Sequence, residues 1–163
     1  MKRLNLSPLT ESATLLRRAA VVLGSVGLTA LYSLLVLLRA LFGKLDRRIV
    51  DKYCREWSTA LLKLVRTSLT VRGEVPDFND GRRYIIMSTH ASHYDIPVSF
   101  VSLPGSIRML AKKELFKIPL LGQAMAAAEF PSIDRSNRQN AVRDLDRARA
   151  MMESGIVLWA APE

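Results

Sequence analysis

The chain is predicted to fold as an α/β domain behind an N-terminal membrane helix, and three observations predict it. After residue 67, short apolar runs alternate with stretches of helical periodicity, the pattern of α/β architectures. The last run, Ile156-Val157-Leu158-Trp159-Ala160, has no polar position, as expected of a strand covered on both faces. Near the other end, residues 19–38 hold no charge at all. The 163 residues are 49% hydrophobic and 24% charged, a balance that suits one folded domain and argues against disorder.

Residues 1–18 form a basic N-terminal segment with Lys2, Arg3, Arg17 and Arg18. The twenty uncharged residues 19–38 match the length needed to cross a hydrocarbon core of about 30 Å. A signal peptide is the competing reading, but its apolar core is usually only ~7–15 residues, and no convincing small-residue cleavage site follows. Arg39, Lys44, Arg47, Arg48 and Lys52 come next, which leans toward a downstream domain on the cytoplasmic side. Glycines and hydroxyls at Gly24, Ser25, Gly27, Thr29 and Ser33 also permit a helix lying in one leaflet. Residues 39–66 read as an amphipathic basic helix, since Leu45, Ile49, Tyr53, Trp57, Leu61, Leu64 and, just beyond, Leu69 recur at nearly helical spacing with basic residues between them. Such a helix can lie on an anionic membrane surface, or its apolar stripe can pack on the domain while its charges are solvated.

The domain itself is expected over residues 67–163. Residues 68–73 read as a short strand, 76–81 as a polar loop and 83–88 as the next strand. A short helix follows at 94–103, a strand at 107–111, a helix begun by Pro119 at 119–128, and a strand at 129–133. Ser136 with Gln139 three residues on reads as a capping box. The apolar stripe Ala141, Val142, Leu145, Ala148 and Met152 then makes a helix that ends at Gly155.

The chemistry concentrates in the run His90-Ala91-Ser92-His93-Tyr94-Asp95, which follows the apolar residues Tyr84-Ile85-Ile86-Met87. An imidazole and a carboxylate at a strand's exit can act as a base, because a carboxylate on one ring nitrogen fixes the tautomer and supports the imidazolium that forms. Ser92 has no G-x-S-x-G elbow to present it as a nucleophile, and a local hydrogen bond at the helix start is its expected role. His93 lies three residues from His90 and raises the alternative of a metal pair, which the lack of a nearby cysteine argues against.

The run reads H-x-S-x-x-D and resembles the opening signature of the glycerol-phosphate acyltransferase family, close to the 1-acyl-glycerol-3-phosphate acyltransferases. Lys112-Lys113-Glu114-Leu115-Phe116-Lys117-Ile118-Pro119-Leu120-Leu121-Gly122 resembles that family's K-x-x-L-x-x-x-P-x-x-G segment. Phe130-Pro131-Ser132-Ile133-Asp134-Arg135 resembles its F-I-x-R block. The final Ala161-Pro162-Glu163 matches the first half of its F-P-E-G-T-R block, with Ala161 for phenylalanine, and the chain given stops there.

The resemblance implies a mixed sheet flanked by helices, part of which is missing from this chain. It also implies transfer of an acyl group from acyl-CoA or acyl carrier protein to the free hydroxyl of lysophosphatidic acid, with no cofactor. In this reading His90 is the base, Asp95 orients it, and Lys112, Arg135 and Glu163 bind substrate. Pro119 and Gly122 shape a turn and a close helix packing. Arg135 has the alternative of an ion pair with Asp134, and Lys112 that of a solvated cluster with Lys113 and Lys117. Other lysophospholipids or an amino-acid lipid are alternative acceptors, and a noncatalytic membrane-binding fragment is the alternative to an enzyme.

The net charge of +9 directs the chain toward anionic surfaces such as lipid headgroups and phosphorylated substrates. No zinc-finger spacing or aromatic-basic block accompanies it, so nucleic acid is not the expected partner. A single cysteine, Cys54, excludes an intrachain disulfide and favours a reducing compartment.

Overall fold

A computed structural model describes residues 14–78 and 80–161. Most of the basic segment 1–18, with Lys2 and Arg3, therefore lies outside the described residues, as does Glu163. The first helix, α1, runs Leu15–Leu41, longer at both ends than its uncharged stretch, and starts where the Thr14 hydroxyl accepts the Arg17 amide at 3.3 Å. The second, α2, runs Arg47–Leu64 behind Asp46, whose carboxylate accepts the Ile49 amide at 2.8 Å.

These two helices pack along each other. Gly24 faces the Leu64 side chain, the Trp57 indole donates to Thr29 Oγ1 at 3.1 Å, and the rings of Tyr32 and Tyr53 meet edge to face at 6.0 Å. The far side of α1 leaves Leu16, Val22, Leu23, Val26, Leu31, Leu34 and Leu38 exposed. By length and composition α1 can cross a membrane.

The strands are β1 (Ile85–Met87), β2 (Ile107–Met109), β3 (Ala111–Lys112), β4 (Ser132–Ile133) and β5 (Val157–Ala160). All pair in parallel among the described residues: β5 lies between β1 and β2, and β3 pairs with β4. β2 runs into β3 through Leu110, whose amide bonds Trp159 O at 2.9 Å, while the next amide, of Ala111, bonds Pro131 O at 2.9 Å. One strand path thus passes from β5 to β4, and the four paths share one direction.

Helices α3 (Asp95–Ser102), α4 (Leu121–Ala127) and α5 (Arg138–Met152) complete the fold. Alternation along β5 divides the core. Val157 and Trp159 join Phe100, Ile107 and Met109, while Ile156 and Leu158 join Ala148 and Met152 of α5. Burying side chains of this size is worth about 1.5–3 kcal/mol each. A third cluster, Val36, Val50, Ala124 and Ala128, holds α1 and α2 against α4.

The expected strand at 68–73 does not form; residues 66–77 are exposed without regular structure, since Leu69 and Val71 find no sheet edge. The helix expected from Pro119 begins at Leu121 instead. Leu120 intervenes at φ 64 and ψ −55, and the Leu121 amide bonds Pro119 O at 2.8 Å, a γ-turn of the strained hand. A 3₁₀ turn, Lys113–Lys117, precedes it. The cap of α5 is Asn137, whose side chain accepts the Gln139 and Asn140 amides at 3.0 and 3.1 Å, because the Ser136 hydroxyl is already committed to Asp134 at 2.6 Å.

Candidate active site

His90 sits three residues beyond β1, in the loop that leads into α3. Asp95 opens that helix, where a carboxylate is favoured by the helix dipole. The loop is short because it folds on itself: the Ser92 amide donates to Asp95 Oδ2 at 2.8 Å, the Asp95 amide donates to Ser92 O at 3.0 Å, and the Tyr94 amide donates to Ser92 Oγ at 3.2 Å. Ser92 is therefore a loop fastener, as its lack of an elbow suggests. The Ser92 amide, with help from Ala91 and His90, holds the Asp95 carboxyl below its usual range against partial desolvation.

The same carboxylate oxygen stands 3.2 Å from His90 Nδ1. Nδ1 is buried, and the approach lacks the alignment of a formed hydrogen bond. Catalytic hydrogen bonds often reach full alignment only around bound substrate. The His90 ring is fixed from behind by Trp159 of β5, with ring centres 5.8 Å apart and planes at 81°, and His93 lies 6.3 Å away. With a proton on Nδ1 facing Asp95, Nε2 carries the lone pair, so the pair can accept a proton from a hydroxyl.

Lys112 ends β3 and is exposed, and Arg135 follows β4 by two residues, also exposed. Their strands are in register, with Lys112 opposite Ile133. The alternative ion pair of Arg135 with Asp134 does not form. Asp134 instead accepts the Ser136 hydroxyl and amide at 2.6 and 3.1 Å, the Asn140 amide group at 3.1 Å and Lys113 Nζ at 3.4 Å. Those bonds, the Ser136 hydroxyl foremost, hold the Asp134 carboxyl far below its usual range. The loop is thereby rigid and Arg135 has no ion-pair partner among the described residues. His90, Lys112 and Arg135 all stand at or just past the carboxyl ends of parallel strands, the edge where open α/β sheets bind ligands. β5 delivers Ala161 to that same edge, and Glu163 lies outside the described residues.

Gly122 has the packing role expected of it: a Cβ there would overlap the Phe116 carbonyl. Sequence reasoning missed Arg108, which is wholly buried in β2. Its guanidinium donates to Ala128 O at 2.7 Å, Ile107 O at 2.9 Å and Asp51 Oδ1 at 2.7 Å, and lies 5.5 Å from the centre of the Phe130 ring. The available signal was an arginine between Ile107 and Met109 in an otherwise apolar strand. Burial pushes the Cys54 thiol up to about 11, so it behaves as a small apolar residue. An apolar cavity of about 310 Å³ separates Ser25, Val26 and Thr29 of α1 from the Ile118–Leu121 segment.

The sequence profile of a family described as acyltransferase matches residues 68–163. The chain is similar to a 1-acyl-sn-glycerol-3-phosphate acyltransferase of Cocos nucifera, at 27% identity over 156 residues, covering 95% of this chain and 50% of that protein. A protein of the same description from Saccharomyces cerevisiae is 33% identical over 81 residues, 49% of this chain and 27% of its own length. Among solved structures, the 1-acyl-sn-glycerophosphate (LPA) acyltransferase PlsC of Thermotoga maritima superposes with a TM-score of 0.69 at 24% identity. That match covers 91% of this chain and 60% of the other, and it shows a shared fold. The chain thus spans about half the length of the Cocos nucifera relative.

Proposed function

Because this chain belongs to the acyltransferase family, we propose that it transfers a fatty acyl group from acyl-CoA or acyl carrier protein to the free hydroxyl of 1-acyl-glycerol-3-phosphate, giving phosphatidic acid. The observation that carries this reading is the His90 imidazole held between Asp95 and Trp159 at the carboxyl edge of the sheet. His90 Nε2 takes the proton of the acceptor hydroxyl as its oxygen attacks the thioester carbonyl. The tetrahedral intermediate expels a thiolate, which takes the proton back from the imidazolium. Asp95 keeps the ring oriented and balances its transient charge. Lys112 and Arg135 hold the glycerol phosphate, Arg135 through a two-bond fork, and Glu163 is a further substrate-binding residue.

The lipid acceptor reaches this edge from a membrane. Gly24, Thr29, Ser33 and Val36 of α1 are engaged by α2, α4 and the segment before α4. α2 carries the exposed Arg48, Arg55 and Lys63, which belong with headgroups, while Arg47 is held by Glu129 at 2.6 Å. The exposed face of α1 therefore enters one leaflet while the sheet stays on the cytoplasmic side, and the apolar cavity beside Ile118–Leu121 takes up hydrocarbon. The test is acyl transfer from labelled acyl-CoA to lysophosphatidic acid by the full-length protein and its His90→Ala variant. A variant with full turnover would refute the reading; a loss of activity with membrane attachment retained supports it.

A further inference from the structure

A second cavity, this one polar and also of about 310 Å³, lies at the amino ends of β2 and β5, where the turns at Gly105 and Gly155, with φ of +87 and +89, meet α2. Val157, at its wall, begins β5, while Trp159 at the other end of that strand touches His90. The cavity is therefore distinct from the candidate active site. Arg48 and Arg55 both line it, seven residues and about 10 Å apart along α2. Both are exposed, and neither has an acidic partner among the described residues.

The carboxylate between them, Asp51, also lines the cavity, but both of its oxygens are engaged. Its Oδ1 accepts Arg108 Nη1 at 2.7 Å and its Oδ2 accepts the Ser106 hydroxyl at 2.5 Å. Arg108 cancels its charge, so two uncompensated guanidinium groups face one polar cavity. Lys52, on the same helix, lies outside the cavity and pairs with Glu56 at 3.8 Å.

We infer that this cavity is a phosphate-binding site, separate from the one that would hold a substrate beside His90. Two planar five-donor forks around a cavity of this size suit a tetrahedral polyoxyanion. The phosphate is carried either by a lipid headgroup, since α2 is the basic helix beside α1, or by a soluble phosphate compound.

The experiment follows thermal unfolding of the full chain in neutral detergent against inorganic phosphate, with sodium chloride at matched ionic strength. It is done in an Arg135→Ala background to silence the carboxyl-edge site. Phosphate should raise the midpoint, because a ligand that binds only the native state stabilises it. Adding Arg48→Gln and Arg55→Gln should raise the half-saturating concentration at least tenfold, whereas Lys52→Gln should leave it unchanged. Should the double variant fail to fold, Arg55→Gln alone should still weaken binding at least threefold. Equal weakening by Lys52→Gln, or none from the arginine changes, would overturn the site. Vesicles of phosphatidylcholine with and without phosphatidic acid then name the source. Attachment that depends on both the anionic lipid and the arginine pair assigns a headgroup; a phosphate response without that dependence assigns a soluble compound.

Discussion

Asp95 Oδ2 stands 3.2 Å from His90 Nδ1 while accepting the Ser92 amide at 2.8 Å, so one oxygen both closes the loop and faces the ring. Asp95→Asn keeps a carbonyl for the Ser92 amide but removes the charge behind the imidazole. The expected result is a fall in kcat/KM of about 10²–10⁴-fold, the usual worth of general-base assistance. Because Asp95 is held below its usual range, it stays ionised across the working pH. A variant that kept native kcat/KM would contradict the pair as drawn.

The pair was legible in the sequence because it is local: four residues separate its members, and a strand pattern placed them at an exit. Arg108 was not, since its acceptors at Asp51 and Ala128 lie far along the chain and only packing brings them together. The order of the sheet was hidden for the same reason, as β5 enters between β1 and β2 from more than forty residues beyond β2. The strand expected at 68–73 failed because alternation of Leu69 and Val71 supplies no pairing edge. The capping box at Ser136 failed because nothing in the sequence revealed Asp134 as a competitor for its hydroxyl.

The buried Arg108 and the partly buried Asp51 should show strong coupling. Asp51→Ala leaves a guanidinium with no exposure facing no carboxylate, and loss of one partner of a buried pair costs about 3–5 kcal/mol. Replacing both, as Asp51→Ala with Arg108→Met, should recover most of that loss, because an apolar pair pays no charge desolvation. Urea unfolding of the four proteins in the cycle measures it, and simple additivity would show that the two residues act separately.

Asp134 should make the Arg135 loop resistant to acid. Its folded pKa is depressed, so its stabilising contribution is fully present above the unfolded carboxylate value of about 3.9. That contribution is lost only as pH falls below 3.9 and through the lower folded value. The stability gap between the native chain and Asp134→Asn should thus be constant from pH 5 to 8 and narrow below pH 4. In activity, the loosened loop should raise KM for the lysolipid phosphate more than it lowers kcat. A gap that narrows near pH 6 would mean that another group holds the loop.

Gly122 and Leu120 predict opposite effects two residues apart. At Gly122 a methyl group would overlap the Phe116 carbonyl, which is backbone and cannot swing aside, so Gly122→Ala must push the Lys113–Lys117 turn off α4. Overpacking typically costs about 1–3 kcal/mol, and a backbone obstacle places this change at the upper end. At Leu120 the strain is in the backbone itself, since a bulky residue at φ 64 costs on the order of 1–3 kcal/mol. Leu120→Gly relieves it and surrenders a half-exposed side chain, so its unfolding midpoint should equal or exceed that of the native chain. If Gly122→Ala unfolded at the native midpoint, the close approach of the Phe116 carbonyl to α4 could not be what selects glycine there.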